Sequence, residues 1–404
     1  MSIQPFRTTG ARFPSKAAGL RLLLLVLAGL LTIDSTGYAQ AEGQADAVSN
    51  RTVTASPLAG FHHSLVEALL YNPSLEEVTS KYPYKAETTT RKLEPTLILT
   101  GMGIEDGNYA LHYRIQSGRK TLYQGAADVS VVNGLFENVF SLPKKYPEAD
   151  GVAYELKSKN NGASVHGSVP LRWSRFQGRV RYLDGGWRSA YINLRPNGFA
   201  SAASLYVPVA DDGRFDALLP SRIYSVINVN GTGYSYDAME RWAWDYDLTR
   251  DREDEFTIGR TELYGIHAFN LRGGAPTVFV SFRPTALSRI LQFDEDGDSR
   301  TTGEERKKME EAMKLSPTVI GPVLQASDVR VWLNGKEQKI EQFNLIPEYN
   351  GTIWQVIYLL QFYPEPRPAF RVWHEIKLEV RSKETLRGKE IEDYGQGSVG
   401  FYRQ

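Results

Sequence analysis

The 404-residue chain contains no cysteine. It therefore has no disulfide, and a thiolate metal site, a cysteine nucleophile and a lipid-modified cysteine are all excluded. Domains without disulfides depend on buried apolar surface for their stability. The domains of this chain must therefore be large enough to enclose substantial apolar cores.

The chain also lacks an excess of charge of either sign, because it has 47 Lys and Arg and 47 Asp and Glu residues. Residues 1–41 hold four of the basic and one of the acidic residues, so the remainder has 43 against 46 and a net charge of −3. Nucleic acids and anionic membranes attract concentrated positive charge, and no basic tail or basic helix is present. The sequence thus disfavours both as partners.

One apolar run stands out, at residues 22–33, and it is broken by Asp34. As a helix it would rise about 18 Å, which is short of the ~30 Å of bilayer hydrocarbon. Four basic residues precede it, and Ala39-Gln40-Ala41 has the form of a signal peptidase site. The pattern predicts a signal peptide over residues 1–41 and a secreted or periplasmic protein with no membrane insertion after cleavage; an uncleaved anchor is the alternative.

Residues 42–90 predict a linker and a short helix. Residues 42–58 are small and polar, and residues 81–90 are again polar. Between them, residues 59–75 carry apolar groups at roughly helical spacing and end near Asn72-Pro73, which favours a helix that stops before the proline.

From residue 91 the apolar period changes to two, which is typical of half-buried strands. In residues 91–174 the alternation is clear over residues 109–115 and 127–132. Asn133-Gly134 then separates two such runs, and this pair favours a type I′ hairpin turn because both central residues need positive φ. These residues predict a first β-sandwich module.

Residues 175–259 predict a second sandwich. Four motifs follow in order: G-x-V-x-x-x-D-G from Gly178, A-x-I-x-L from Ala190, D-G-x-F-x-A-x-L-P from Asp212 and Y-S-V-I-N-V-x-G-x-G-Y from Tyr224. Over residues 176–236 they resemble a carboxypeptidase regulatory-like domain, a β-sandwich of the transthyretin-like type. The resemblance implies a non-catalytic accessory module, because the catalytic part of carboxypeptidases lies in another domain.

Residues 260–404 predict a third sandwich, which resembles bacterial Ig-like domains through strand-like runs and the L-N-G turn at Leu333. The first module resembles them through V-x-V-V-N-G-L-F from Val129. The predicted fold class is therefore all-β, with several Ig-like and transthyretin-like sandwiches, a short N-terminal helix and one helical EF-hand-like insertion at residues 285–315.

That insertion contains acidic residues at alternate positions of a twelve-residue loop, followed by a charged helix predicted over residues 304–314. Calcium prefers six to eight hard oxygens at about 2.3–2.6 Å, and such a loop supplies them in this order. The loop resembles EF-hand and dockerin-like calcium loops, although Ser299 replaces the usual glycine at position six. The predicted ligands of a structural Ca²⁺ are Asp294, Asp296, Asp298, Arg300 (through its carbonyl), Thr302 and Glu305. The alternative is a solvated acidic turn.

A second candidate site is an aromatic row at Trp242, Trp244 and Tyr246. On a regular strand the three rings would share one face and could stack on sugar rings. The alternative is that they pack the sheet against the next module, because aromatic rings are abundant in cores.

No catalytic residue is predicted, because the chain has no nucleophile elbow, no P-loop and no H-E-x-x-H motif. Its six histidines are dispersed and favour surface or capping roles. The leading hypothesis is an exported, non-enzymatic accessory protein that binds polysaccharide or a surface or envelope protein, with a structural calcium site. The alternatives are a carbohydrate-active hydrolase or lyase, and an assembly component of an envelope or secretion system.

Overall fold

The computed structural model describes residues 65–74, 77–82, 87–185, 190–197, 204–231, 234, 237–271, 275–294 and 303–403. The predicted signal peptide and the N-terminal part of the predicted linker lie outside these ranges. All described residues belong to one unit, Thr52–Gln404. Within them, no helix is long and apolar enough to cross a membrane. The all-β prediction is confirmed.

The first β-sandwich places a three-stranded sheet, in the order β1-β4-β7, over a four-stranded sheet, in the order β6-β5-β8-β9. Alternate residues of β5, among them Leu111 and Ile115, are fully buried between the sheets and contact Leu97 and Leu99 of β4 in one core. The strands are β1 (Leu65–Tyr71), β2 (Glu77–Tyr82), β3 (Glu87–Lys92), β4 (Thr96–Met102), β5 (Gly107–Ser117), β6 (Lys120–Val131), β7 (Leu135–Ser141), β8 (Gly151–Ser158) and β9 (Ser164–Pro170).

The prediction of a short N-terminal helix is wrong for the described residues. Residues 65–71 form β1, which pairs antiparallel with β4. Val66 and Leu70 belong to the first core, while Leu69 and Tyr71 belong to the second. A strand that is buried on both faces loses its polar alternation, and its apolar run then mimics a helix. The predicted polar linker also contains a hairpin, because β2 pairs with β3.

The second sandwich places the sheet β13-β10-β16 against β12-β11-β14-β15. Gly178 of the first motif has φ +152, and a Cβ there would lie 1.8 Å from the carbonyl oxygen of Asp254, so only glycine lets β16 approach β10. The strands are β10 (Trp173–Tyr182), β11 (Ala190–Pro196), β12 (Leu205–Pro208), β13 (Arg214–Pro220), β14 (Arg222–Gly231), β15 (Arg241–Leu248) and β16 (Arg252–Ile258).

The third sandwich encloses a core between β17-β18-β22-β21 and β20-β19-β23-β24. The predicted helical insertion lies between β18 and β19 and holds α1, α2 and the 3-10 segment between them, whereas a second 3-10 segment lies outside it, directly before β19. The elements are β17 (Thr261–Phe269), β18 (Val278–Ala286), α1 (Leu287–Ile290), the 3-10 segment Leu291–Phe293, α2 (Gly303–Met313), the 3-10 segment Ala326–Asp328, β19 (Val329–Leu333), β20 (Lys336–Gln338), β21 (Ile340–Tyr349), β22 (Trp354–Phe362), β23 (Trp373–Leu386) and β24 (Lys389–Tyr402).

The last strand, β24, joins the second and third sandwiches. It runs antiparallel to β23 and parallel to β15, with Gly397 opposite Trp242. A Cβ at Gly400 would lie 1.9 Å from the carbonyl oxygen of Asp245, and one at Gly395 would lie 2.3 Å from that of Thr261. The G-x-G-x-x-G spacing of these glycines therefore serves close strand packing, since it lies inside a strand and not at a strand-to-helix turn that would bind phosphate.

Candidate functional site

An open cleft of about 710 Å³ lies where β24 joins the two sandwiches. Its walls come from the end of β15, the turn into β16, the start of β23 and the end of β24. The parallel pairing of β15 with β24 sets this geometry, because it brings the β15–β16 turn beside the first residues of β23. The cleft therefore combines side chains that lie more than one hundred residues apart in sequence.

The aromatic wall of the cleft is Trp373, at the start of β23. A Cβ at Gly400 would lie 3.1 Å from Cε3 of Trp373, so the indole passes directly over the bare backbone of this glycine. Its other neighbour is Tyr402, at a ring-centroid distance of 5.4 Å. Trp373 is partly exposed and Tyr402 is 39% exposed, so the pair presents an accessible aromatic surface.

The polar wall is organised around Arg252, the first residue of β16. Its guanidinium donates to Asp254 at 2.8 Å and to Glu375 at 2.7 Å, and it lies 4.2 Å from the ring centroid of Tyr246. Burial disfavours the charge, yet Tyr246, Asp254 and Glu375 together raise the pKa of Arg252 above its ordinary value. The arginine is therefore a fixed cation that holds two strands of different sandwiches together.

Tyr246 completes this network. Its hydroxyl donates to Asp254 Oδ2. Burial, followed by the charge of Asp254, raises the pKa of Tyr246 well above its ordinary value, so the hydroxyl remains protonated. The Asp254 carboxylate thus accepts from both Tyr246 and Arg252, which leaves it little capacity to bind a ligand.

The outer rim of the cleft is more exposed. It consists of Asp247 near the end of β15, Arg250 and Asp251 in the turn that follows, and Glu253 at the start of β16, and all of them except Asp247 are exposed. Together with Arg252, Asp254 and Glu375 they give the lining two guanidinium groups and five carboxylates. The excess of carboxylates disfavours polyanions, while a neutral molecule rich in hydroxyl groups finds many hydrogen-bond acceptors here.

The predicted aromatic row is only partly present. Trp242 and Trp244 do share a face, where they stack at 5.6 Å and both meet Tyr264 edge-on. Tyr246 instead packs against Phe176 in the second core. The prediction that all three rings share one face is wrong, because Asp245 has φ +47 and interrupts the regular alternation of β15. Trp242 and Tyr246 are 2% and 3% exposed, so the packing alternative describes them better than a sugar platform.

Beside this tryptophan pair lies a cluster of two buried glutamates, which sequence reasoning missed. Glu240 is 4% exposed and Glu262 is 5% exposed. Asn230 donates to Glu240 Oε1 at 2.6 Å, and the Trp242 indole N–H donates to Glu262 Oε1 at 3.0 Å. Within the described part of the chain, Glu240 Oε2 has no hydrogen-bond partner.

Burial governs the protonation of this pair. It raises the pKa of Glu240 to about 8, although Asn228, Arg195 and Asn230 lower it. Burial and then the neighbouring Glu240 raise the pKa of Glu262 well above its ordinary value. Two carboxyl groups that interact in a dry site do not both ionise readily, so the pair holds protons at neutral pH.

The ends of the predicted calcium loop are described, and its middle is not. Asp296, Asp298, Arg300 and Thr302 lie outside the described residues. Asp294 and Glu305 are each 4% exposed, and Arg387 Nη2 donates to Asp294 Oδ2 at 2.9 Å. Carboxylates therefore lie buried at both ends of the loop, and α2 begins at Gly303, as the predicted helix requires.

No family model matches the chain, so the resemblances to carboxypeptidase regulatory-like, Ig-like and EF-hand sequences rest on their motifs alone. No curated protein matches it either. Several solved structures show remote similarity to parts of the chain, among them a DUF3823 family protein and two pilus proteins. A DUF3823 family protein from Parabacteroides merdae ATCC 43184 is 11% identical over 56% of this chain and 98% of its own, with a TM-score of 0.17.

The other two are pilus proteins. BcpA, the major pilin subunit of Bacillus cereus, is 7% identical over 48% of this chain and 70% of its own, with a TM-score of 0.17. The group B streptococcus pilus 2b backbone protein is 8% identical over 45% of this chain and 97% of its own, with a TM-score of 0.16. TM-scores this low carry no argument about function, and no family is assigned to this chain.

Proposed function

We propose that this protein is an exported, non-enzymatic accessory protein of the cell envelope or surface that binds a neutral polysaccharide in the cleft between its second and third sandwiches. The observation that carries the proposal is the accessible Trp373–Tyr402 surface beside a rim of carboxylates. The predicted signal peptide and the resemblance of residues 176–236 to non-catalytic accessory modules agree with it.

The chemistry of a sugar ring fits this arrangement. Its C–H face packs against an aromatic ring, while its hydroxyl groups donate to carboxylate oxygens at the ring's edge. In the cleft, Trp373 supplies the aromatic face, and Asp247, Asp251 and Glu253 supply acceptors in the β15–β16 turn and at the strand ends beside it.

The test is a glycan array followed by titration calorimetry with the best neutral polysaccharide. We expect Trp373→Ala to weaken binding on the order of tenfold or more, because the main aromatic contact is lost. Trp332→Ala is the matched control, since Trp332 is a partly exposed indole of the third sandwich that does not line the cleft. Absence of binding to any glycan, or equal loss in the two variants, would refute the proposal; turnover of the bound glycan would refute its non-enzymatic part.

The same proposal includes a structural calcium ion in the loop of residues 294–305. The buried Asp294 and Glu305 fit the first and twelfth ligand positions of such a loop. Arg387 donates to the backbone carbonyl of Asp294 as well as to its carboxylate, so this ligand is held in place by the β23–β24 turn. A bound calcium would reduce the repulsion between the carboxylates of the loop and connect α1 to α2.

A further inference from the structure

A row of three side chains crosses the first sandwich on its outer face. His112 of β5 lies directly opposite Glu155 of β8, and Glu155 lies directly opposite His166 of β9. Directly paired residues on neighbouring antiparallel strands project from the same face of the sheet. The order across the sheet is therefore histidine, glutamate, histidine. The three residues are 43 and 11 positions apart in sequence, so only the strand register brings them together.

The three side chains are exposed and uncommitted. Each is exposed to solvent, in contrast to the alternating core residues Leu111 and Leu156 on the same strands. None of the three has a hydrogen bond or an ion pair with another described residue. Ion pairs elsewhere on this sheet, such as Lys159 with Asp128, show that its charged side chains do find partners. A glutamate placed between two histidines without any such contact is available to bind a ligand.

The surface around the row is shallow and open. The three residues line one groove of about 850 Å³. Ala126 of β6 lies directly opposite His112, on the side away from Glu155. Ala153 precedes Glu155 by two residues on β8 and therefore projects from the same face. These methyl groups leave room above the sheet for the imidazoles to turn toward the central strand. Arg114 also lines the groove.

Two imidazoles and one carboxylate are a ligand set that zinc accepts, with water in the fourth position. Neighbouring strands are about 4.8 Å apart, so the two histidines lie about 10 Å apart with the glutamate midway. An ion above the central strand would be reached by both rings. In the present rotamers no three His, Asp or Glu side chains of the described residues converge on an ion position. Binding therefore requires rotation of exposed side chains and no change of the backbone.

We propose that His112, Glu155 and His166 form a zinc site that links three strands of the first sandwich. Zinc suits the site because it readily accepts tetrahedral coordination and binds imidazole nitrogen, whereas calcium and magnesium require sets of oxygen ligands. The ion would tie β9, the edge strand of its sheet, to β5 across β8. This site is independent of the cleft and of the calcium loop, which belong to other sandwiches.

The test is titration calorimetry of the untagged chain with ZnCl₂ at pH 7.5, with millimolar CaCl₂ in the buffer to occupy oxygen sites. We expect saturable binding of one Zn²⁺, and a loss of affinity on the order of tenfold or more in His112→Ala, His166→Ala and Glu155→Gln. The double variant His62→Ala with His63→Ala is the matched control, because it removes an adjacent histidine pair elsewhere and should bind zinc as the unmodified chain does.

Two readouts decide the outcome. Thermal unfolding without zinc should give the same midpoint for the exposed-site variants and the unmodified chain, which shows that lost binding does not reflect lost folding. With zinc, only the unmodified chain and the His62/His63 control should gain stability. The proposal is overturned if the unmodified chain binds no zinc, or if replacement of His112 and His166 leaves binding unchanged.

Discussion

The buried pair Glu240 and Glu262 predicts an unusual dependence of stability on pH. Burial disfavours the charged form of a carboxyl group, and this raises its pKa on folding. The folded state is therefore most stable while the group is protonated, and it loses stability when the group ionises. Burial raises the pKa of Glu240 from 4.5 to about 8. At 1.36 kcal/mol per pKa unit, this costs roughly 5 kcal/mol of folding free energy as the pH rises from 4.5 to 8, because the folded state binds more protons than the unfolded state over this range.

The perturbation that isolates this effect is Glu240→Gln. The amide keeps the acceptor for Asn230 and cannot ionise. Removing the charge of Glu240 also removes the second-largest cause of the raised pKa of Glu262. We therefore expect the variant to lose less stability between pH 5 and pH 8 than the unmodified chain, and to be the more stable protein at pH 8.

The assay is urea unfolding followed by tryptophan fluorescence at half-unit steps from pH 5 to pH 8.5. Because several sandwiches need not unfold in one step, the quantity compared is the pH dependence of each transition midpoint. Glu148→Gln is the control, since it removes an exposed glutamate of the first sandwich. Parallel midpoint curves for Glu240→Gln and the unmodified chain would refute the reasoning.

Two further predictions concern packing and calcium. Gly178→Ala should destabilise the second sandwich by about 3 kcal/mol or more, measured by urea unfolding, because its Cβ meets the Asp254 carbonyl; Gly185→Ala, at φ +73 with open space around it, should cost only about 1 kcal/mol. Millimolar CaCl₂ should raise the melting temperature of the chain, and Asp296→Ala with Asp298→Ala should abolish the increase, whereas an unchanged melting curve with calcium would contradict the calcium site.

Hairpin turns were the part of the fold most directly predictable from sequence. Asn133 and Gly134 have φ values of 54° and 74°, and Asn334 and Gly335 have 50° and 82°. Positive φ at both positions is what an Asn-Gly pair tolerates and most other pairs do not. Local chemistry alone therefore determines these turns. The predicted turn at Asn133 is present and closes the bridge between Val132 and Leu135, but β6 and β7 then enter different sheets, so the predicted hairpin does not continue beyond the turn.

Sequence reasoning failed where a strand departs from one buried face and one exposed face. Leu69 and Leu70 are both fully buried, in two different cores, and the resulting apolar run predicts a helix where the chain forms a strand. In β15 the alternation from Trp242 to Tyr246 predicts that the three rings share one face, although the positive φ of Asp245 turns Tyr246 into the second core. The burial of β1 on both faces and the orientation of Tyr246 leave no pattern in the local sequence, because both depend on which elements pack against the strand.

The cleft was unpredictable for a related reason. Arg252 and Glu375 make its central ion pair across 123 positions, and nothing in either segment indicates the other. What unites them is the parallel pairing of β15 with β24, and that pairing is possible because glycine occupies the positions of β24 where another backbone approaches.

The absence of a side chain at the glycines of β24 therefore determines both the junction of the two sandwiches and the shape of the cleft. Gly400 has no side chain, so the backbone of β15 can lie against it on one side and the Trp373 indole can lie over it on the other. A larger residue there would separate β15 from β24, move Arg252 away from Glu375, and displace the aromatic wall in the same step. The spacing G-x-G-x-x-G thus specifies a junction between two sandwiches, and the accessible surface of the cleft is a consequence of how that junction closes.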